Sequence, residues 1–115
     1  MELNNINEMQ LAIDYSDLLS KSQKEILKYI VSFDLERGLP AVSIMKHMKV
    51  TKQAIGFSLK QLMSRKFLTR YKDKVFVYRI NRTRIQEIVV DYRKMKQMQV
   101  NWLFFVLAVD FVFFP

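Results

Sequence analysis

The 115-residue sequence contains no cysteine. Without thiols there can be no disulfide and no thiolate metal site, and the chain fits a reducing cytoplasm. A single histidine, His47, cannot build a zinc site alone. There are only two glycines and two prolines. So few turn formers argue against a many-stranded sandwich and for helices. No glycine-rich phosphate loop, no His-Glu metal motif and no Ser/His/Asp set can be assembled. The acid pairs Asp14/Asp17 and Asp34/Glu36 have no pocket signal attached. The expectation is therefore a protein that is not an enzyme and uses no cofactor or metal. The first twenty residues are polar and acidic rather than basic then apolar, so no secretory leader is expected.

What the sequence does contain is an apolar half and an uneven positive charge. Hydrophobic residues make up 50% of the chain, enough to build a core. The net charge is +8. Residues 1–40 carry four basic and seven acidic side chains, whereas residues 41–98 carry fifteen basic and three acidic. A block this basic inside a foldable segment points to a polyanion, either nucleic acid or an anionic membrane surface. The bland alternative is a solubilising surface. The abundance of Lys, Ile and Asn is compatible with an AT-rich bacterial or phage genome.

Periodicity divides the chain into segments 1–19, 20–81 and 82–115. In the first, Ile6, Met9, Leu11, Ile13, Leu18 and Leu19 suggest a flanking helix near Asn5–Tyr15. Ser20 or Ser22 can cap the next helix, and Glu25 completes a capping-box spacing with Ser22. That helix should run to about Phe33 with Ile26, Leu27, Ile30 and Val31 in its pattern, and Arg37-Gly38-Leu39-Pro40 should end the element. A helix over Ala41–Met48 is predicted to bury Val42, Ile44, Met45 and Met48. After a break at Lys49-Val50, Thr51 caps a third helix to about Arg65, with Ala54, Ile55, Leu59 and Leu62 inward. Period-two runs at 67–71 and 75–80 predict a hairpin turning through Lys72-Asp73-Lys74. Helical spacing returns over 82–98 through Ile85, Ile88, Val89, Tyr92 and Met95. The fold class is thus mainly α with a small β-hairpin.

Helix, helix, short break, helix and hairpin is the order of a winged helix-turn-helix with flanking helices. The run Val50 to Leu62 resembles the recognition helix of bacterial winged-helix regulators, MarR-like and similar families. Arg65-Lys66-Phe67-Leu68-Thr69-Arg70 resembles their link into the wing, and Val77-Tyr78-Arg79-Ile80 their second wing strand. Those families usually carry Gly where Lys49 and Lys66 stand; a left-handed Lys there costs about 1 kcal/mol. The resemblance implies that Thr51, Lys52, Gln53, Gly56, Phe57 and Ser58 face the DNA major groove. Gln53 can pair with an adenine edge, Lys52 with guanine, and Phe57 with a thymine methyl. Lys46, Lys49 and Lys60, with Arg70, Lys72, Lys74 and Arg79 on the wing, are placed for phosphates.

The implied function is a sequence-specific regulator of transcription on double-stranded DNA, a homodimeric repressor paired through terminal helices. A plasmid or phage replication initiator, and a winged helix used for protein or membrane assembly, are the alternatives. The apolar tail 100–114 admits three roles: dimerisation, membrane contact helped by Arg93-Lys94-Met95-Lys96, or packing on its own domain. Helix and strand are both open for it. At about 1.5 Å per residue it is too short for a comfortable bilayer span, and Asp110 adds to the cost.

Overall fold

A computed structural model describes the backbone of residues 5–113 and the side chains of residues 5–108. Among the described residues there are five helices and a three-stranded sheet: α1 (Ile6–Tyr15), α2 (Lys21–Phe33), β1 (Leu39–Pro40), α3 (Ala41–Met48), α4 (Lys52–Ser64), β2 (Leu68–Asp73), β3 (Val75–Ile80) and α5 (Arg82–Phe113). Phe114 and the side chain of Asp110, both part of the predicted tail, lie outside the described portion.

Local chemistry sets the helix starts. Asn5 caps α1 by accepting from the Glu8 amide at 3.0 Å. A capping box does open α2, but with Ser20 and Gln23 instead of Ser22 and Glu25. Ser20 Oγ accepts from the Gln23 amide at 3.3 Å, and Gln23 Oε1 accepts from the Ser20 amide at 3.1 Å. The physical reason is Gln23's second partner. Its Nε2 donates to Gln61 Oε1 at 2.7 Å, tying α2 to α4, and a carboxylate could not donate that bond. Gln23 is only 2% exposed, so its amide needs both partners.

The sheet has the antiparallel order β1-β3-β2. The hairpin expected from the sequence is present, with Arg70 opposite Tyr78 and Lys72 opposite Phe76. Its strands pair as far as Asp73 opposite Val75, so the turn contracts onto Lys74 at φ 64°. The third strand was not expected. Leu39 and Pro40 were read as a stop signal, yet they pair with Tyr78 and Val77. Pro is tolerated because it sits on an edge strand, where one face of the ladder needs no N–H.

Phe67, expected as the first strand residue, instead closes α4. Its amide donates to the Leu62 carbonyl at 2.9 Å and the Lys66 amide to Met63 at 3.0 Å, with Lys66 left-handed at φ 68°. This is a Schellman closure, and the Phe67 ring that follows it is fully buried. Around it lies one core from α2, α3, α4, the sheet and the first turns of α5, including Ile30, Ile44, Leu62, Ile80 and Ile85. Two residues expected inward, Val42 and Ala54, are in fact exposed, as are the apolar Ile6, Leu11, Leu18 and Phe33. In short amphipathic helices the apolar stripe is narrower than the count of apolar residues, so its margins face water.

The last helix absorbs the predicted 82–98 segment and the tail as far as Phe113, which is helix rather than strand. Asn81 fastens its start, donating from Nδ2 to the Lys66 carbonyl at 2.8 Å. Further along, α1 lies against it. The Tyr15 and Tyr92 rings sit 5.8 Å apart, and Arg93 Nε donates to Glu8 Oε2 at 2.7 Å. The Arg93 hydrogen bond holds the Glu8 carboxyl below the usual carboxylate range, against a smaller opposing effect of burial. A carboxyl lowered in the folded state stabilises above its unfolded value and loses that contribution as pH falls through the folded one. Glu8→Gln is therefore expected to lower Tm at pH 7, with the gap to the parent closing as pH falls below the ordinary glutamate range and Glu8 itself protonates. Thermal melts of both chains across pH 3–7 check this, and a constant gap refutes it. The effect should be modest, since the Arg93 side chain is 40% exposed and water screens the pair.

Candidate nucleic-acid interface

Helix α4 presents two unlike sides. Ile55, Leu59 and Leu62 are buried, while Lys52, Gln53, Ala54, Gly56, Phe57 and Lys60 are exposed. Thr51 caps the helix by accepting from the Ala54 amide at 3.2 Å, which leaves its hydroxyl proton able to donate outward. Nothing lies within 4 Å of where a Gly56 side chain would begin, so the backbone is bare there. Beside it Phe57 is 62% exposed, an uncommon position for a large ring. Ser58 is half-buried, because it lies between the Ile55 and Leu59 rows, and it faces outward less than expected.

The turn before α4 is built by Lys49, left-handed at φ 55°, whose amide donates to the Met45 carbonyl at 2.9 Å. This is the position where winged-helix sequences usually place Gly. Lys46 is exposed in the last turn of α3, where a cation also complements the helix dipole. Neighbouring His47 is exposed and stacks on Tyr29 with ring centroids 3.7 Å apart.

On the wing, strand alternation divides the expected cations between two faces. Arg70 and Lys72 share a face with Phe76, with the Arg70 guanidinium 4.1 Å from the ring centroid and Lys72 Nζ at 5.8 Å. Arg79 lies on the opposite face, 5.3 Å over Tyr71, whose hydroxyl donates to the Arg37 carbonyl at 2.9 Å. Lys74 sits at the tip. The structure therefore does not bring all four wing residues together.

Pairing separates two groups of cations. Arg82 is bound to Glu36, Arg84 to Glu87 and Arg93 to Glu8, and Arg65 donates to the Leu18 carbonyl. Among the described residues, none of Lys46, Lys49, Lys52, Lys60, Arg70, Lys72, Lys74 or Arg79 forms an ion pair. Lys66 joins this second group, an exposed cation between α4 and the wing that the sequence-based set omits. Its signal was present: a lysine at a left-handed closure carries charge where Gly would carry none. The described residues include no group of three or more His, Asp or Glu placed to hold a metal ion.

No protein-family model and no curated protein matches the chain in sequence. Solved structures do match it in shape. An ArsR-like transcriptional regulator from Rhodococcus sp. RHA1 superposes with a TM-score of 0.58 at 16% identity, covering 94% of this chain and 92% of that one. The F27L mutant of Staphylococcus aureus MepR, bound to an oligodeoxyribonucleotide, gives 0.57 at 19% identity, covering 83% of this chain and 72% of that one. MepR itself, a transcription regulator of the S. aureus multidrug efflux pump MepA, gives 0.54 at 16% identity over 90% of both chains. The chain has the winged helix-turn-helix fold, with the helix pair α3–α4 and the β2–β3 wing in the order these regulators share.

Proposed function

We propose that this chain is a sequence-specific double-stranded DNA-binding transcription regulator that acts as a dimeric repressor in the cytoplasm. The observation that carries this is the outward side of α4. It combines a base-reading amide (Gln53), two cations without carboxylate partners (Lys52, Lys60), bare backbone at Gly56 and an exposed ring at Phe57, on a helix narrow enough for the major groove. Residues 20–81 form the reading unit in this proposal, and residues 1–19 and 82–115 flank it. Dimerisation is supported by Leu11, Tyr15 and Leu18, which are exposed along and just beyond α1. A two-fold pair would read half-sites about one helical turn apart. Repression needs only occupancy of the site.

The test is duplex affinity across salt from about 50 to 200 mM, for selected and random sequences. Binding should fall steeply with salt and be strongest on the selected duplex. Gln53→Ala should cost roughly 1–3 kcal/mol on the selected site and little on random DNA. Lys72→Ala should weaken both alike and reduce the salt slope by about one. No binding at low salt would sink the proposal.

A further inference from the structure

The outer half of α5 differs from an ordinary amphipathic helix. Trp102, Leu103, Phe104 and Phe105 are consecutive, and each is at least 60% exposed. At about 100° per residue, four successive positions cover every side of a helix. Val100 and Leu107 are exposed as well. Packing on its own domain, one of the roles open from the sequence, is not what these side chains do. A single partner helix covers one stripe and would leave the remaining sides wet. Hydrocarbon covers all sides at once.

Charge agrees with that occupant. Lys94 and Lys96 are exposed roughly two turns before Trp102, where headgroup phosphates would lie if Trp102 sits at the boundary. Among the described residues no helix is long and apolar enough to cross a membrane. In the sequence, Asp110 is the one charged residue of this run and opposes deep insertion. We infer that the outer half of α5 seats the protein on an anionic membrane, with Trp102 at the interface and Lys94 and Lys96 on the headgroups.

Trp102 is the only tryptophan in the chain, so its fluorescence reports on this segment alone. The full-length protein, without DNA, is mixed with phosphatidylcholine vesicles holding about 30% phosphatidylserine, and with pure phosphatidylcholine vesicles. Expected are a blue shift of Trp102 and quenching by brominated lipid, strongest on the anionic vesicles. Lys94→Gln with Lys96→Gln should weaken binding, about fivefold for each lysine. Leu103→Asn with Phe104→Asn should abolish co-sedimentation while leaving duplex affinity intact, which separates this inference from the DNA reading. Three results overturn it. One is a Trp102 spectrum already blue-shifted in a concentration-dependent way without lipid and unmoved by vesicles, which identifies a second copy as the occupant. Another is a spectrum unmoved in every condition. The third is co-sedimentation that survives Leu103→Asn with Phe104→Asn, which assigns the binding to the basic winged face.

Discussion

Gly38→Ala is expected to unfold a large fraction of the molecule at temperatures the parent tolerates. A Cβ built on Gly38 would lie 2.1 Å from the Tyr78 carbonyl oxygen and 2.8 Å from the Arg79 Cα. Both are backbone atoms of the central strand, so neither can swing aside. The residue is also left-handed at φ 81°, which adds strain to the clash. Relief requires separating β1 from β3, and with it the buried Leu39 and Tyr78. A cost of roughly 3 kcal/mol or more belongs to this class of change. For a domain of about this size that is a fall in Tm of 10 °C or more. Gly56→Ala is the internal control. It adds the same methyl group to open space in a helix and should leave Tm unchanged or slightly raised. Equal melts for Gly38→Ala and the parent would show that β1 does not hold the sheet.

The second large effect is expected at the proposed DNA surface. Lys52→Glu with Lys60→Glu reverses two cations on the exposed side of α4 that have no described ion-pair partner. Each reversal removes a favourable phosphate interaction and introduces a repulsive one. Affinity for any duplex should fall by at least about a hundredfold at 100 mM salt, and the salt slope should drop by about two. Stability should barely move, because neither side chain contributes to the core. The paired control is Arg84→Gln, whose guanidinium is held by Glu87 and the Arg65 carbonyl and lies over the Phe67 ring. That variant should lose more stability than affinity. A double reversal that binds DNA like the parent would remove α4 from the interface.

Much of this arrangement is legible in residues alone, for identifiable reasons. Helix starts carry polar caps, so α4 and the beginning of α2 follow from Thr51 and the serines, while α1 follows from its apolar spacing. The choice between Ser20 and Ser22 did not follow, because it depends on Gln61, 38 residues away. Similarly, β1 is two residues long and contains a proline, so no period-two pattern exists to find; its pairing is decided by Gly38 fitting against Tyr78. Phe67 read as strand because an aromatic beside Leu68 fits that pattern, whereas the Lys66 closure withdraws it into the core. Within the candidate site, residue types announce chemistry but not direction. Arg70 and Arg79 are alike in the sequence, and only register places them on opposite faces of the wing. Arg82 and Arg93 contribute to the basic block yet face Glu36 and Glu8, long-range partners that no local pattern reveals.

The scarcity of glycine and proline has a mechanical consequence in α5. Neither residue occurs between Arg82 and Phe113, so the helix contains no joint in its 32 residues. Its base is bolted to the end of α4 by Asn81, and its length is about 48 Å at 1.5 Å per residue. It is therefore a lever arm with its fulcrum beside the end of α4. A rotation of roughly 10° at the base carries the far tip about 8 Å, given that rise per residue. The converse also holds: a restraint on the tip constrains the bearing of the winged unit. Whatever grips the outer half of this helix sets the angle at which the proposed DNA surface of α4 is presented, without touching α4.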